Sequence, residues 1–196
     1  MPLPRIAVLL LVLAAAAFGQ QPAPAAPQTA PAATAEALTA KANAGDANAA
    51  FALGAMYERG NGVAADPAAA VKWYRQAATA GHTGAQFNLA LILAKGRGVK
   101  ANPAEAVQWY TLAAEKGDVQ AATNLGIMYA RGDGVKQDMG QAARWFRQAA
   151  EAGNPMAEYN LGLLYSEQLY SDGKGEDADT QQAAAWIGKA AEHGVV

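Results

Sequence analysis

Residues 46–81 read DANAAFALGAMYERGNGVAADPAAAVKWYRQAATAG, residues 82–117 read HTGAQFNLALILAKGRGVKANPAEAVQWYTLAAEKG, and residues 118–153 read DVQAATNLGIMYARGDGVKQDMGQAARWFRQAAEAG. Laid over one another, the three strings align Trp73, Trp109 and Trp145 in one column, Leu53, Leu89 and Leu125 in a second, and Gly81, Gly117 and Gly153 in a third, each 36 residues apart. A fixed period of that size marks stacked helical hairpins, in which no unit buries its apolar side without its neighbours. A fourth unit, 154–194, keeps the register through Leu161 and Tyr165 and then carries five extra residues, so that Trp186 and Gly194 fall 41 residues after Trp145 and Gly153. The insertion is expected in the hairpin turn.

Local rules build each hairpin. Asp46, Asp118 and Asn154 share a column ahead of an Ala-rich amphipathic run, where an N-cap residue belongs. In the second unit His82 holds that column, and Thr83 beside it is the expected cap. Along this first helix, helix A, Ala49, Leu53 and Tyr57 recur at i, i+4 and i+8, as do Ala85, Leu89 and Leu93, a single buried stripe. Gly54, Gly126 and Gly162, with Ala90 in the same column, are expected to let a neighbouring helix approach closely. Gly60, Gly96 and Gly132 open the GNGV, GRGV and GDGV turns and end helix A. Asp66-Pro67 and Asn102-Pro103 then start helix B with a cap and a proline at the first helical position, Asn102 and Glu105 forming a capping box, with Asp138 and Asp179 in the same column. The helix B stripe contains Ala70, Trp73, Ala77 and Ala78 and their equivalents, so every tryptophan is expected in the core and Trp109→Ala is expected to cost about 3–5 kcal/mol.

These readings predict an all-α, right-handed α-solenoid of four helix-turn-helix repeats with a period of 36, at 46–81, 82–117, 118–153 and 154–194. A worn helix at 35–45 should cap it: Ala37, Lys41, Ala42 and Gly45 fall where Trp73, Ala77, Ala78 and Gly81 fall, and a polar terminal unit stops open-ended stacking. Composition agrees. The 196 residues include 52 Ala, so the 52% hydrophobic content rests on the smallest apolar side chain and on helix propensity. Zero Cys excludes disulfides, thiolate metal sites, thiol nucleophiles and a lipidated cysteine, and a net charge of −2 excludes a general grip on nucleic acid.

The N-terminus reads as an address. Arg5, the apolar run Ile6 to Phe18, and Ala17 and Gly19 at the −3 and −1 places of a cleavage site make 1–19 a secretory signal peptide. The run of about 13 residues falls short of the ~20 needed to span a bilayer. Residues 20–34, QQPAPAAPQTAPAAT, form an uncharged Ala/Pro tether. The mature protein is therefore expected in the periplasm or outside the cell, with no membrane span.

Leu-Gly followed by Tyr three residues on, then GxGV, Asp, Ala, Trp, Ala-Ala and a closing Gly, resembles the Sel-one-like repeat (SLR) family, a relative of the tetratricopeptide repeats, over residues 46–194. The fourth unit departs from the pattern, with Gly173 and Gly175 retained but Glu176 in place of Val. The resemblance implies an adaptor or regulator, and its secreted bacterial members imply envelope assembly, exopolysaccharide control or host interaction.

A search for chemistry is brief. His82 and His193 stand in different columns, and the glycine motifs end helices instead of opening one after a strand, so neither a triad, a metal cluster nor a phosphate loop is assembled. Glu158 and Glu167 stand nine apart on one helix, about 180° around it, and do not face one substrate. Phe51, Phe87 and Tyr159 share a helix A column and are read as packing. No cofactor is implied. One feature goes beyond packing: Asn88, Asn124 and Asn160 repeat in one helix A column, and Arg59, Lys95 and Arg131 repeat in a column seven residues on. Seven residues turn a helix by about 700°, within ~20° of two turns, so the two columns share a face. In tetratricopeptide-like arrays helix A lines a concave groove. The resemblance thus implies that Asn88, Asn124 and Asn160 hold the main chain of a bound peptide while Arg59, Lys95 and Arg131 attract its carboxylates. The expected function is a non-enzymatic exported scaffold binding an envelope protein. A hydrolase or ligand-binding protein acting on cell-wall or polysaccharide material, centred on Glu167 and Asp172, is the alternative, and self-association through the last helix B is a third reading.

Overall fold

The computed structural model describes residues 32–172 and 177–195, side chains excepted at 32–33 and 167–180. The expected signal peptide and most of the expected tether lie outside these residues. Among the described residues there are nine α-helices and no strands: α1 Ala32–Asn43, α2 Ala47–Arg59, α3 Pro67–Thr79, α4 Thr83–Lys95, α5 Pro103–Glu115, α6 Val119–Arg131, α7 Met139–Glu151, α8 Pro155–Asp172 and α9 Asp177–Glu192. They form two compact units divided between Asp118 and Val119. In the first, α1 packs on α2, α2 on α3, α3 on α4 and α4 on α5; in the second, α6 packs on α7, α7 on α8 and α8 on α9. Within each unit every helix lies against its neighbour in sequence, and the four repeats pack as helix pairs, as in an α-solenoid.

The caps explain the boundaries. Asp46 Oδ1 accepts from the Asn48 and Ala49 amides at 2.9 and 3.1 Å, and Asp66 Oδ1 from Ala68 and Ala69 at 2.9 and 3.0 Å. Asn154 caps α8 through the Ala157 amide at 3.0 Å. Gly60 and Gly96 end α2 and α4 in the left-handed conformation, at φ 71° and 63°, which only glycine adopts without strain.

Four expectations change. His82, not Thr83, caps α4: its Nδ1 accepts from the Ala85 amide at 3.1 Å, because an unprotonated ring nitrogen offers the same lone pair as a carboxylate oxygen. Helix α1 starts at Ala32 instead of 35, directly after Pro31, since AATAEALTA is as good a helix former as the segment following it. The five extra residues of the last unit lengthen helix A from the 13 residues of α2, α4 and α6 to 18 in α8, so they extend a helix instead of enlarging the turn. Helix α9 correspondingly begins at Asp177, placing Asp179 inside the helix rather than at its cap.

The fourth change concerns the core. Trp73 and Trp145 are buried, but Trp109 and Trp186 are only half-buried. Three of the four indoles have a cation over the ring: Lys72 Nζ at 5.3 Å from Trp73, the Arg144 guanidinium at 4.5 Å from Trp145 and Lys189 Nζ at 4.4 Å from Trp186. Tryptophan is thus divided between the core, at Trp73 and Trp145, and its margin, at Trp109 and Trp186, and in the first three repeats the next residue of helix B occupies the centre. Tyr74, Tyr110 and Phe146 are the largest fully buried side chains. The small residues of helix A receive them: a Cβ added at Gly54 would stand 2.5 Å from Tyr74 Cδ1, one at Gly126 2.7 Å from Phe146 Cδ1, and one at Gly162 2.6 Å from Ile187 Cγ1.

Accordingly, Gly126→Ala should destabilise the protein by about 1–3 kcal/mol through overpacking, despite the better helix propensity of Ala. Gly188→Ala in α9, where an added Cβ meets nothing within 4 Å, should stabilise it by about 0.5–1 kcal/mol. Phe146→Ala should cost about 3–5 kcal/mol and Trp109→Ala less. Urea melts of the four variants check the order; a Gly126→Ala protein as stable as the parent would contradict the close approach.

Candidate functional site

Each helix A of the first three repeats delivers a basic residue to its last turn, where a cation also suits the helix dipole. In the first unit Arg59 ends α2 and Lys95 ends α4, both exposed. In the second, Arg131 ends α6 half-buried, 4.0 Å from the Asp133 carboxylate. The Lys95 ammonium is held below its ordinary pKa, first by partial burial and then by the neighbouring Arg97 charge.

The asparagine column is less uniform than its spacing. Asn88 is half-buried in α4 beside the Tyr74 hydroxyl of α3, where its amide favours the charged phenolate. That hydroxyl in turn donates to Glu58 Oε2 at 2.7 Å. Burial, then the Glu58 carboxylate, push the Tyr74 pKa far up, while Asn88 and the Arg59 charge pull the other way. The structure thus gathers Asn88 and Arg59, from different repeats, around one phenol. Asn124 is half-buried in α6, and Asn160 is buried in α8, its Nδ2 donating to the Met156 carbonyl at 2.8 Å.

Two further groupings escaped the sequence reading. Glu105 was expected to return to the Asn102 backbone amide, but that amide bonds the Leu93 carbonyl at 2.8 Å. The Glu105 carboxylate instead accepts from Asn102 Nδ2 at 3.0 Å, Trp109 Nε1 at 3.1 Å and the Arg75 guanidinium at 2.9 Å, fastening α5 to α3. Glu158 is 2% exposed and lies 2.8 Å from His193 Nδ1, just beyond α9. Its column mate Gln86 is equally buried and donates to the Ala78 carbonyl at 3.1 Å, an option closed to a carboxylate. Phe51 stacks on His82 with ring centroids 4.3 Å apart and tilts on Tyr74 at 5.7 Å, while Phe87 tilts on Tyr110 at 5.8 Å. These column members pack, as expected. Only the burial pattern, which spacing does not carry, distinguishes Glu158 from the solvated acids.

Among the described residues no group of three or more His, Asp or Glu is placed to hold a metal, and no helix is long and apolar enough to cross a membrane. The side chains of Glu167 and Asp172, on which the polysaccharide reading depends, lie outside the described residues.

A profile of the Sel1 repeat matches the chain four times, at residues 47–82, 83–118, 119–154 and 155–195. The chain belongs to the Sel1 repeat family. Such proteins are generally scaffolds for protein–protein interaction, and non-catalytic ones. Among solved structures this Sel1 repeat chain is similar to c5321, a protective antigen present in uropathogenic Escherichia coli strains that displays an SLR fold. The identity is 42% and the TM-score 0.71, over 82% of this chain and 33% of that one. It is also similar to a Sel1 repeat protein from Oxalobacter formigenes, at 31% identity and a TM-score of 0.73, over 96% of this chain and 73% of that one. The chain thus spans about a third of the length of the first relative. A search of curated proteins gave no match.

His82 supplies a pH prediction for the Sel1 array. Burial, and secondarily the Lys116 ammonium, hold its imidazole below the ordinary pKa, so the fold favours the neutral ring whose Nδ1 caps α4. The stabilisation is complete above the unfolded-state pKa of about 6.5 and is lost as the pH falls through that value toward the lower folded one. Melting temperatures should therefore drop more between about pH 7.5 and pH 5 in the parent than in His82→Asn, which caps without titrating in that range. Parallel curves would show that the cap does not depend on the neutral ring.

Proposed function

We propose that this Sel1 repeat protein is an exported scaffold that holds a segment of an envelope protein against the helix A faces. The observation that carries the reading is the pair of exposed cations at the ends of α2 and α4, Arg59 and Lys95, with half-buried Asn88 seven residues before Lys95 on the same helix. An amide beside exposed cations suits an extended, acidic segment: the amide can meet its main chain and the cations its carboxylates. In the second unit the corresponding columns hold Asn124 and Arg131, the latter half-buried and 4.0 Å from Asp133, while buried Asn160 positions its own helix. Export rests on the Arg5 start, the apolar run to Phe18 and the small residues Ala17 and Gly19, which place the mature N-terminus at Gln20 in the periplasm or outside the cell.

Two measurements test this. Mass spectrometry of the protein from the producing cell's envelope fraction should find Gln20 as the first residue; an uncleaved Met1 chain in the cytosol would refute export. Capture from an envelope extract should recover at least one protein with the parent chain and lose it with Arg59→Ala/Lys95→Ala/Arg131→Ala, whose surface substitutions should leave stability within about 0.5 kcal/mol each. Equal recovery by the triple variant, at an unchanged melting temperature, would refute the face.

A further inference from the structure

The three GxGV turns share a backbone but not a charge. The first, 59–66, balances Arg59 against Asp66, and the third, 131–138, balances Arg131 and Lys136 against Asp133 and Asp138. The second, 95–102, holds Lys95, Arg97 and Lys100 with no carboxylate, and even the cap that is Asp66 or Asp138 elsewhere is the neutral Asn102. This +3 turn belongs to a chain whose net charge is −2. All three cations are exposed, and among the described residues none forms an ion pair. The nearby Glu105 is already held by Arg75, Trp109 and Asn102.

The turn is also built rigidly. The Arg97 amide bonds the Ile92 carbonyl at 3.2 Å and the Asn102 amide bonds Leu93 at 2.8 Å. Gly98, at φ 67°, lies so close to the Pro67 ring that a Cβ there would collide with it. Beside the turn opens a cavity of about 520 Å³, with Val71, Leu93 and Val99 as its apolar wall and Arg75, Lys100, Asn102 and the Glu105 carboxylate, which Arg75 neutralises, at its polar one. Like charges set side by side on a fixed loop raise the energy of the empty site, a cost that a bound anion removes. The repulsion is already visible in the lowered pKa of Lys95, to which Arg97 contributes after burial.

We propose that residues 95–102 and the adjoining cavity form a second docking site, for an acidic peptide segment that carries an aliphatic side chain next to its carboxylates. The cations take the carboxylates, and Val71 and Val99 take the aliphatic group. The apolar wall favours a peptide over a polyuronate, which has no aliphatic group to place there. The inference rests on the scaffold reading only in taking a peptide as its ligand, and it uses residues outside the helix A capture test except Lys95, which is left unaltered below.

The test uses the full mature chain and a fluorescein-labelled peptide, Asp-Glu-Leu-Glu-Val-Asp, read by fluorescence anisotropy. Saturable binding that weakens as salt is raised is expected. Arg97→Ala/Lys100→Ala should weaken it about tenfold or more at an unchanged melting temperature, whereas Lys136→Ala in the third turn should not. With the parent protein, replacing the peptide's acids by amides, or its Leu and Val by Ser, should each lower the affinity. Equal binding by the double variant, indifference to the Ser replacement, or polygalacturonate competing as well as the unlabelled peptide would each overturn the proposal. Because the peptide arms need only the parent protein, misfolding of a variant would not shelter it. Failure here with loss of capture by the helix A variant would leave the proposed function standing, and the reverse result would leave this site standing.

Discussion

A bulky residue of helix B pressed against a glycine or alanine of helix A, a ring on a bare backbone in the first and third hairpins, is the constraint from which the rest of each hairpin follows. Where Tyr74 meets Gly54 and Phe146 meets Gly126, an added Cβ would stand 2.5–2.7 Å from the ring. An Ala-rich chain has little bulk with which to fill space between helices, so it must bring the helices together and let a few aromatic residues complete the core. That proximity sets which residues on the neighbouring helix come within reach. The Tyr74 hydroxyl reaches Glu58 because its ring lies against the gap left by Gly54.

Repetition made most of the architecture readable. Period, caps, glycine stops and the Leu stripe are local or nearest-neighbour features, and such features survive in a one-dimensional string. What repetition could not reveal was the difference between adjacent residues in a helix. Trp recurs in every helix B and draws attention, yet Trp109 and Trp186 stay half-buried, while the less conspicuous Tyr74, Tyr110 and Phe146 fill the interior. Trp is the larger ring, but its N–H needs a partner, as Trp109 finds in Glu105.

The site was legible as columns and not as contacts. Asn88 and Asn160 have the same place in the period but different surroundings: one lies beside a phenol on the preceding helix, the other turns back to the Met156 carbonyl one turn earlier in its own helix. The reason is the partner, since the Tyr74 column holds Phe146 in the third repeat and Ile187 in the fourth, which have no hydroxyl to offer. His82 and Glu158 were similarly hidden. Their roles depend on a ring nitrogen at a helix start and on a residue 35 positions away, neither of which periodicity encodes.

The clasp at Glu105 bears on how such a chain can evolve. Its carboxylate joins Asn102 and Trp109 of its own helix to Arg75 of the helix in the preceding repeat. The corresponding positions one period earlier and later are Ala69 and Gln141. A recombination event that duplicated, deleted or reshuffled whole 36-residue modules would preserve every backbone turn and still part Arg75 from its counter-ion. Interchangeable in outline, the first two modules are addressed to each other, and the gene that encodes them is correspondingly less free to change their order.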